Sequence, residues 1–467
     1  MVHPLDPTAA GFLLAENRRM PMHVGGLHLY SKPEGAGRNF VRDLYVELKE
    51  SDDIAPLFLK HPYRSIKTGG QWVWVDDDQF DIEYHVRHSA LPKPGRVREL
   101  LELCSRLHST RLATERPLWE WHLIEGLRDG RVAMYAKLHH ALVDGVSAMR
   151  LLQSILSSDP DRRDMPAPWE NRPSGRSREP RERVETSLGD LPGQVLAGAL
   201  AIGAEAAGLP GALVKTLNSS VRNETSALAL YAPRTILNQP ITAARRFAAQ
   251  DWPLDRLRAI SKATDTTMND VVLAMCSGAM RTYLLELGAL PDTTLVSMVP
   301  VGLKAKESQV ASSSGGNAVG AVMVKLGTDL ADPAERLQAV HDSMADGKRA
   351  LAQMTPMQIM AMSALGQAPA ILGPMLKMSG LVKPPYNLII SNVPGPRTTQ
   401  YFNGMRLEGT YPLSIPIDGM ALNITCNSYA DQMAFGLTGC RRTVPHLQRL
   451  LLHLDTEVEA LEDAAGL

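Results

Sequence analysis

Two adjacent histidines, His139 and His140, are followed at fixed spacing by Asp144 and Gly145 in the run KLHHALVDGVSAMRLLQSIL (137–156). Thirteen histidines in 467 residues give roughly 0.4 adjacent pairs by chance, and adding Asp and Gly at set positions lowers this to about 0.002, so the combination carries information that the pair alone does not. Imidazole titrates near neutrality, so one ring can take a proton from an alcohol attacking an acyl thioester. Only one ring of the pair can point at a substrate. The other, with the carboxylate, holds the loop. Asp144 has two readings. It orients an imidazole directly, as in a triad, or it turns away and pairs with a cation that fixes the loop, Arg281 being a candidate partner. The second is favoured, because a side chain that far along a tight turn need not face the ring. Gly145 suits a turn that needs unusual dihedrals. The plainer alternative for the pair is two hydrogen-bonded core histidines.

Such side chains need a rigid frame, and the neighbouring sequence supplies one. RVAMYAKLHH (131–140) reads as a strand that rises from the turn signal Asp129-Gly130 and ends on the pair. A helix follows, with Val146, Met149, Leu152 and Leu156 on one side. LHLYSK (27–32) and QWVWVDD (71–77) read as strands, and 97–112 as a helix. Further on, 255–288 reads as two helices with a polar break at 264–269, and 294–303, 317–326 and 386–396 contain strands. Residues 332–354 form a long amphipathic helix, 421–439 a hairpin and 443–462 a closing helix. The Pro-, Arg- and Glu-rich stretch 159–187 lacks apolar periodicity and reads as a solvated linker. The expected division is therefore 1–158, a linker and crossover with a helical segment over 159–240, and 241–467. Both halves share a coarse mixed α/β pattern, as two similar domains facing each other would.

Composition narrows the chemistry. Lys+Arg 49 against Asp+Glu 50 leaves a net charge of -1, without the bulk positive field that nucleic-acid binding needs. Four cysteines, Cys104, Cys276, Cys426 and Cys440, lie far apart with no CxxC, which argues against a structural zinc site and a disulfide framework. Cys104 and Cys276 fall in apolar helical runs and read as core. His85 and His88 lack a third metal ligand and read as surface strand. No GxSxG nucleophile elbow occurs. The N-terminal run lacks a secretory pattern, so a cytoplasmic location is expected. The apolar stretch 195–217 is interrupted by Glu205 and Pro210, so it reads as a packed small-residue helix or a surface helix touching lipid, not a span.

The runs PMHVGGLHLY (21–30), RPLWEWHLIEGL (116–127), KLHHALVDG (137–145), MNDVVLAMC (268–276), NLIISNVPGP (387–396) and ALNITCNSYAD (421–431) together resemble the bacterial wax ester synthase/acyl-CoA:diacylglycerol acyltransferase family. That family sits in the CoA-dependent acyltransferase superfamily, with chloramphenicol acetyltransferase and peptide-synthetase condensation domains. The resemblance implies an α/β fold with mixed sheets: two chloramphenicol-acetyltransferase-like domains with the active site at their interface. It implies His140 as general base with His139 in support, and Asp144 and Gly145 as structural. It implies Pro117, Leu118 and Trp119 as scaffold beside the site, and Asn269 and Asp270 at a helix start. Asn269 would donate to the oxyanion formed when the alcohol adds to the thioester, or else cap the helix beginning near Asp270. Ser391 and Asn392 would line the cleft from the second domain, or form part of a simple turn.

The implied reaction moves a long-chain acyl group from acyl-CoA, a co-substrate rather than a bound cofactor, to a fatty alcohol or diacylglycerol. The alcohol attacks directly in a ternary complex. The Met-rich segment 354–378, with Met360, Ala364 and Gly366, either lines an apolar substrate tunnel or packs as ordinary core. Peripheral contact with the inner membrane or lipid inclusions follows from the insolubility of such substrates. Competing readings are a condensation or acetyl-transfer enzyme using carrier-protein thioesters, a non-catalytic lipid-binding protein, and, from the HxxxxD spacing of His139 and Asp144, a glycerolipid acyltransferase of another fold.

Overall fold

The computed structural model describes residues 2–5, 7–143, 151, 153–171, 232–302, 319–353 and 384–467. In chain order the elements are β1 (Val2–Pro4), α1 (Pro7–Ala15), β2 (His23–Ser31), α2 (Phe40–Lys49), β3 (Lys60–Arg64), β4 (Trp72–Asp76), α3 (Ile82–His85), β5 (Val86–Ala90), α4 (Val97–Ser109), β6 (Trp119–Glu125) and β7 (Val132–His139). After these come β8 (Arg245–Pro253), α5 (Leu254–Ala263), α6 (Met268–Glu286), β9 (Val296–Gly302), β10 (Val319–Lys325) and α7 (Pro333–Ala352). The chain ends through β11 (Leu388–Pro394), β12 (Tyr401–Phe402), β13 (Met405–Leu413), β14 (Leu422–Tyr429), β15 (Gln432–Cys440) and α8 (Arg449–Ala464).

Two mixed six-stranded sheets, ordered β12-β13-β2-β7-β6-β5 and β10-β9-β11-β14-β15-β8, and a small sheet β1-β4-β3 organise the described residues. Every residue of β7 is buried, as a central strand covered on both faces requires. Helix α6 is apolar nearly all round, with Val271 through Met280 buried, because α5, α7 and α8 enclose it.

The first sheet is not built from residues 1–158 alone. β13 crosses over to pair antiparallel with β2, Leu413 opposite Gly25 and Arg406 opposite Ser31. The expected division at 241 is thus bridged by strands from the C-terminal part, and the two sheets share a seam. There α4 covers β8, the outer strand of the second sheet: Ser105 Oγ accepts from the Phe247 amide at 2.9 Å and Ser109 Oγ from the Arg245 amide at 2.8 Å. These hydroxyls satisfy amides that an open edge would expose. Gly436 of β15 lies so close to β13 that a Cβ would sit 1.9 Å from the Pro412 carbonyl oxygen.

Two expectations change. The expected linker is solvated at its start, 159–164, but packed at 165–169: Trp169 is fully buried, its ring centroid 5.4 Å from that of Trp119 and 6.0 Å from that of Trp121. One large aromatic overrides the polar composition around it, because burying it removes so much apolar surface from water. His85 is not on a surface strand. It closes α3, fully buried between Phe80 and Trp119, with Nδ1 2.7 Å from the Trp119 carbonyl. The stretch 195–217 and the Met-rich segment 354–378 lie outside the described residues.

Candidate active site

The end of β7 is held from both sides. The His139 amide donates to the Leu118 carbonyl at 3.0 Å, and the His140 amide to the Met22 carbonyl at 2.8 Å. Leu118 is the middle residue of the Pro-Leu-Trp run, so its main chain anchors the turn directly. Trp119 is nearly fully buried and donates Nε1–H to the Phe58 carbonyl at 2.9 Å. The Leu142 amide then returns to the His139 carbonyl at 2.9 Å, closing a turn right after the pair.

The two histidines have opposite environments. His139 is fully buried, and its Nδ1 accepts from the Ala141 amide at 3.0 Å. The neutral ring therefore carries its proton on Nε2, which lies 3.7 Å from Glu16 Oε1. Glu16 is itself buried; Oε1 accepts from the Met22 amide at 3.1 Å and Oε2 from Arg111 at 3.0 Å. Burial pushes this carboxyl up, but His139, the Met22 amide and Arg111 outweigh it and hold it below the usual range. His140 is half-buried, and its ring stacks on Phe12 with centroids 4.1 Å apart. The short segment from Phe12 to Met22 thus supplies a stacking face, a backbone acceptor and a buried carboxylate to the turn. Neither Phe12 nor Glu16 was marked by the sequence: one apolar and one acidic residue near a helix end give no local signal.

Beneath the turn lies a polar lattice. Lys137 is fully buried, with Nζ 2.8 Å from Glu120 Oε2 and 3.1 Å from the Thr110 carbonyl. Burial would raise the Glu120 carboxyl, but His122, Lys137 and Arg87 together pull it down to about 2. His108 Nε2 lies 3.0 Å from the Ser414 carbonyl and Nδ1 2.9 Å from the Tyr135 hydroxyl, so the neutral ring donates from Nε2 and accepts from the hydroxyl at Nδ1. Burial accordingly lowers its pKa to about 3.

The C-terminal part meets this corner through charge. Arg19 pairs with buried Asp418 at 3.0 Å, and Arg245 donates to the Arg19 carbonyl at 2.8 Å. Asn269 is half-buried in the first turn of α6 and does not cap it. Thr267 is the N-cap, bonded to the Asp270 amide, while Asp270 Oδ2 accepts from the Thr267 amide at 2.9 Å. The Thr-x-x-Asp spacing was the readable signal for this reciprocal cap. Asp270 Oδ2 also lies 2.9 Å from His341 Nδ1. Arg281 donates to the Thr328 carbonyl at 2.7 Å. Ser391 and Asn392 are half-buried on β11, opposite Thr425 and Cys426 of β14. Asp144, Gly145, Met360, Ala364 and Gly366 lie outside the described residues.

An accessible imidazole on a fixed turn, backed by an aromatic face, is suited to proton transfer. Cys104 and Cys276 are fully buried, and burial pushes both thiols up, away from the nucleophilic thiolate form.

Comparison with known proteins bears on which chemistry this is. Residues 5–272 match the model of the wax ester synthase/diacylglycerol acyltransferase catalytic domain, and residues 315–462 that of the WS/DGAT C-terminal domain. The chain belongs to the wax ester synthase/diacylglycerol acyltransferase family. A probable diacylglycerol O-acyltransferase of Mycobacterium tuberculosis is 46% identical over 463 residues, covering 99% of each chain. The solved wax ester synthase/diacylglycerol acyltransferase of Marinobacter aquaeolei VT8 is 41% identical, with a TM-score of 0.77 over 99% of this chain and 100% of that one. The first condensation domain of the calcium-dependent antibiotic synthetase, 17% identical with a TM-score of 0.57 over 100% and 96% of the two chains, shares the fold alone. This family member is an acyltransferase of mixed α/β, chloramphenicol-acetyltransferase-like architecture. Among the described residues no helix is long and apolar enough to cross a membrane.

Proposed function

We propose that the protein transfers a long-chain acyl group from acyl-CoA to the free hydroxyl of diacylglycerol, or to that of a fatty alcohol, with His140 as the general base. The observation that carries this reading is the division of labour in the pair. His139 is sealed under Glu16, while the His140 ring is half-buried and stacked on Phe12. In this scheme the acceptor hydroxyl gives its proton to His140 as its oxygen attacks the thioester carbonyl. The tetrahedral oxyanion accepts a hydrogen bond from Asn269, the C–S bond breaks, and CoA leaves as a thiol after taking the proton. The half-buried Asn269 side chain, free of any capping duty, supports that role. Ser391 and Asn392 line the acceptor side, and Met360, Ala364 and Gly366 the apolar channel, where each buried methylene contributes about 0.8 kcal/mol. Asp144 and Gly145 shape the loop. No resident cofactor takes part; acyl-CoA is consumed. Diacylglycerol is favoured as acceptor by the names of the mycobacterial relatives, and insoluble acceptors imply that the protein works at a membrane or lipid inclusion.

An acceptor panel tests the reading. Purified protein is given palmitoyl-CoA with dioleoylglycerol, hexadecanol or no acceptor, and free thiol and ester are followed together. Acceptor-dependent thiol release with matching ester is expected. Thiol release without ester, or no release with either acceptor, overturns it.

A further inference from the structure

The β3–β4 hairpin presents the most exposed large apolar side chain among the described residues next to an exposed basic one. Ile66, at its tip, is 99% exposed, and Tyr63 and Arg64 beside it are also exposed. From Ile54 to Val75 the sequence holds Lys60, His61, Arg64 and Lys67 and no Asp or Glu, in a chain whose net charge is -1. Lys60 stands opposite Asp76 at the hairpin base, whereas Arg64, nearer the tip, donates Nε–H to the Gly70 carbonyl at 2.6 Å and is in no ion pair among the described residues.

The tip is also rigid. The Thr68 hydroxyl is buried, lies 2.9 Å from the Ser65 carbonyl and 2.8 Å from the Gln71 carbonyl, and accepts from the Ser65 amide at 3.1 Å. Gly69 and Gly70 follow at φ 61° and 74°, left-handed conformations that glycine adopts without strain. A turn stitched in this way presents Ile66 to its surroundings instead of folding it back.

We propose that this hairpin tip docks on an anionic lipid surface, Ile66 and Tyr63 entering the headgroup region while the exposed Arg64 meets lipid phosphates. The proposal rests on the reading that the acceptor is lipid-borne. Charge complementarity selects lipid over a second protein chain, and strand pairing along β3 is discouraged by Pro62 in its middle, which has no amide to offer. The hairpin also leads to the site. Trp74 packs in one buried cluster with Ala9, Leu13, Leu118 and Ala141, and Trp72 and Phe12 pack against it. The same Phe12 stacks on His140. About four residues of strand, roughly 15 Å, separate tip and cluster, so docking brings the membrane close to the catalytic turn.

Co-sedimentation with vesicles of phosphatidylcholine alone, or of equal parts phosphatidylcholine and phosphatidylglycerol, tests this on the full chain. The wild type should partition onto the anionic vesicles and lose binding in high salt. Arg64→Glu should weaken partitioning about tenfold, and Ile66→Asp should weaken it at equal charge density of the vesicles. Both variants should match the wild type in transfer to a short-chain alcohol without vesicles, and fall behind on diacylglycerol presented in vesicles. Unchanged partitioning of the variants, or no anionic preference in the wild type, overturns the docking surface while leaving the acyltransferase reading intact. Self-association of the wild type that Ile66→Asp abolishes also overturns it, since the tip would then cover a second copy. Loss of transfer to every acceptor in the wild type, with vesicle binding retained, would overturn the catalytic reading instead.

Discussion

The two six-stranded sheets bury polarity of different kinds. Strands of the first bury His23, His28, Glu120, His122, Lys137, His139 and Thr410, all but the last titratable. Strands of the second and the residue leading into β11 bury Ser297, Asn387, Asn423, Asn427 and Thr438, all neutral. The exception is Arg245 at the start of β8, whose guanidinium reaches back to the Arg19 and Pro416 carbonyls at the catalytic corner. An ion taken out of water is costly unless partners surround it. The first sheet meets that condition by clustering: Glu120 serves Lys137, His122 and Arg87, while Glu16 serves Arg111, His139 and the Met22 amide. A neutral amide lattice only holds strands in register. A charged one also fixes ring tautomers and turn geometry, and it lies under the end of β7 where His140 is displayed.

The sharpest way to break this comparison is to separate the two histidines. His140→Ala should lower turnover by about 10²–10⁴-fold, with the unfolding midpoint little changed, because the ring is only half-buried. His139→Ala should lower the midpoint as well, since it removes the acceptor of the Ala141 amide and leaves Glu16 one partner short. Thiol-release kinetics beside thermal melts decide the matter. A His140→Ala enzyme that works at the normal rate would return the site to the buried ring or to neither.

Glu16→Gln probes the lattice itself and should have a smaller effect. The amide oxygen can still accept from the Met22 amide, but the charge that faces Arg111 and His139 is gone. We expect kcat to fall about tenfold at an unchanged KM for acyl-CoA, since Glu16 would act through the turn rather than on the substrate. A rise in KM at constant kcat would instead place Glu16 in substrate binding.

How far the chain was legible follows the same division. Local patterns revealed β7 and its end on the histidine pair, the helices on either side of 264–269 and the β14–β15 hairpin, because periodicity and turn signals act over a few residues. The return of β13 to β2 was not legible, as strand order depends on partners hundreds of positions apart. Trp169 hid in a Pro- and Arg-rich run whose average composition outweighed its one large side chain. Glu16 and Phe12 were hidden for a related reason: each gains its role only once α1 is laid against the turn at 139–142. The cap of α6 was readable from Thr267 and Asp270, yet the Asn-Asp pair drew the reading to Asn269, as oxyanion donor or else as cap.

The smallest expected effect on catalysis lies at the seam, on the neutral side of the comparison. Gly436 faces the Pro412 backbone, and a methyl group there would stand 1.9 Å from the carbonyl oxygen. No side-chain rotation relieves a clash with main chain, so Gly436→Ala must push β15 and β13 apart, at a cost of about 1–3 kcal/mol. The separation disturbs Tyr411, Leu413 and Phe247 in the buried cluster shared by both sheets, not the Glu16–His139 contact. The melting temperature should therefore drop while kcat and KM of the folded enzyme stay at wild-type values. An enzyme that keeps its melting temperature but loses kcat would mean that seam spacing, rather than the charged lattice, sets the aim of His140.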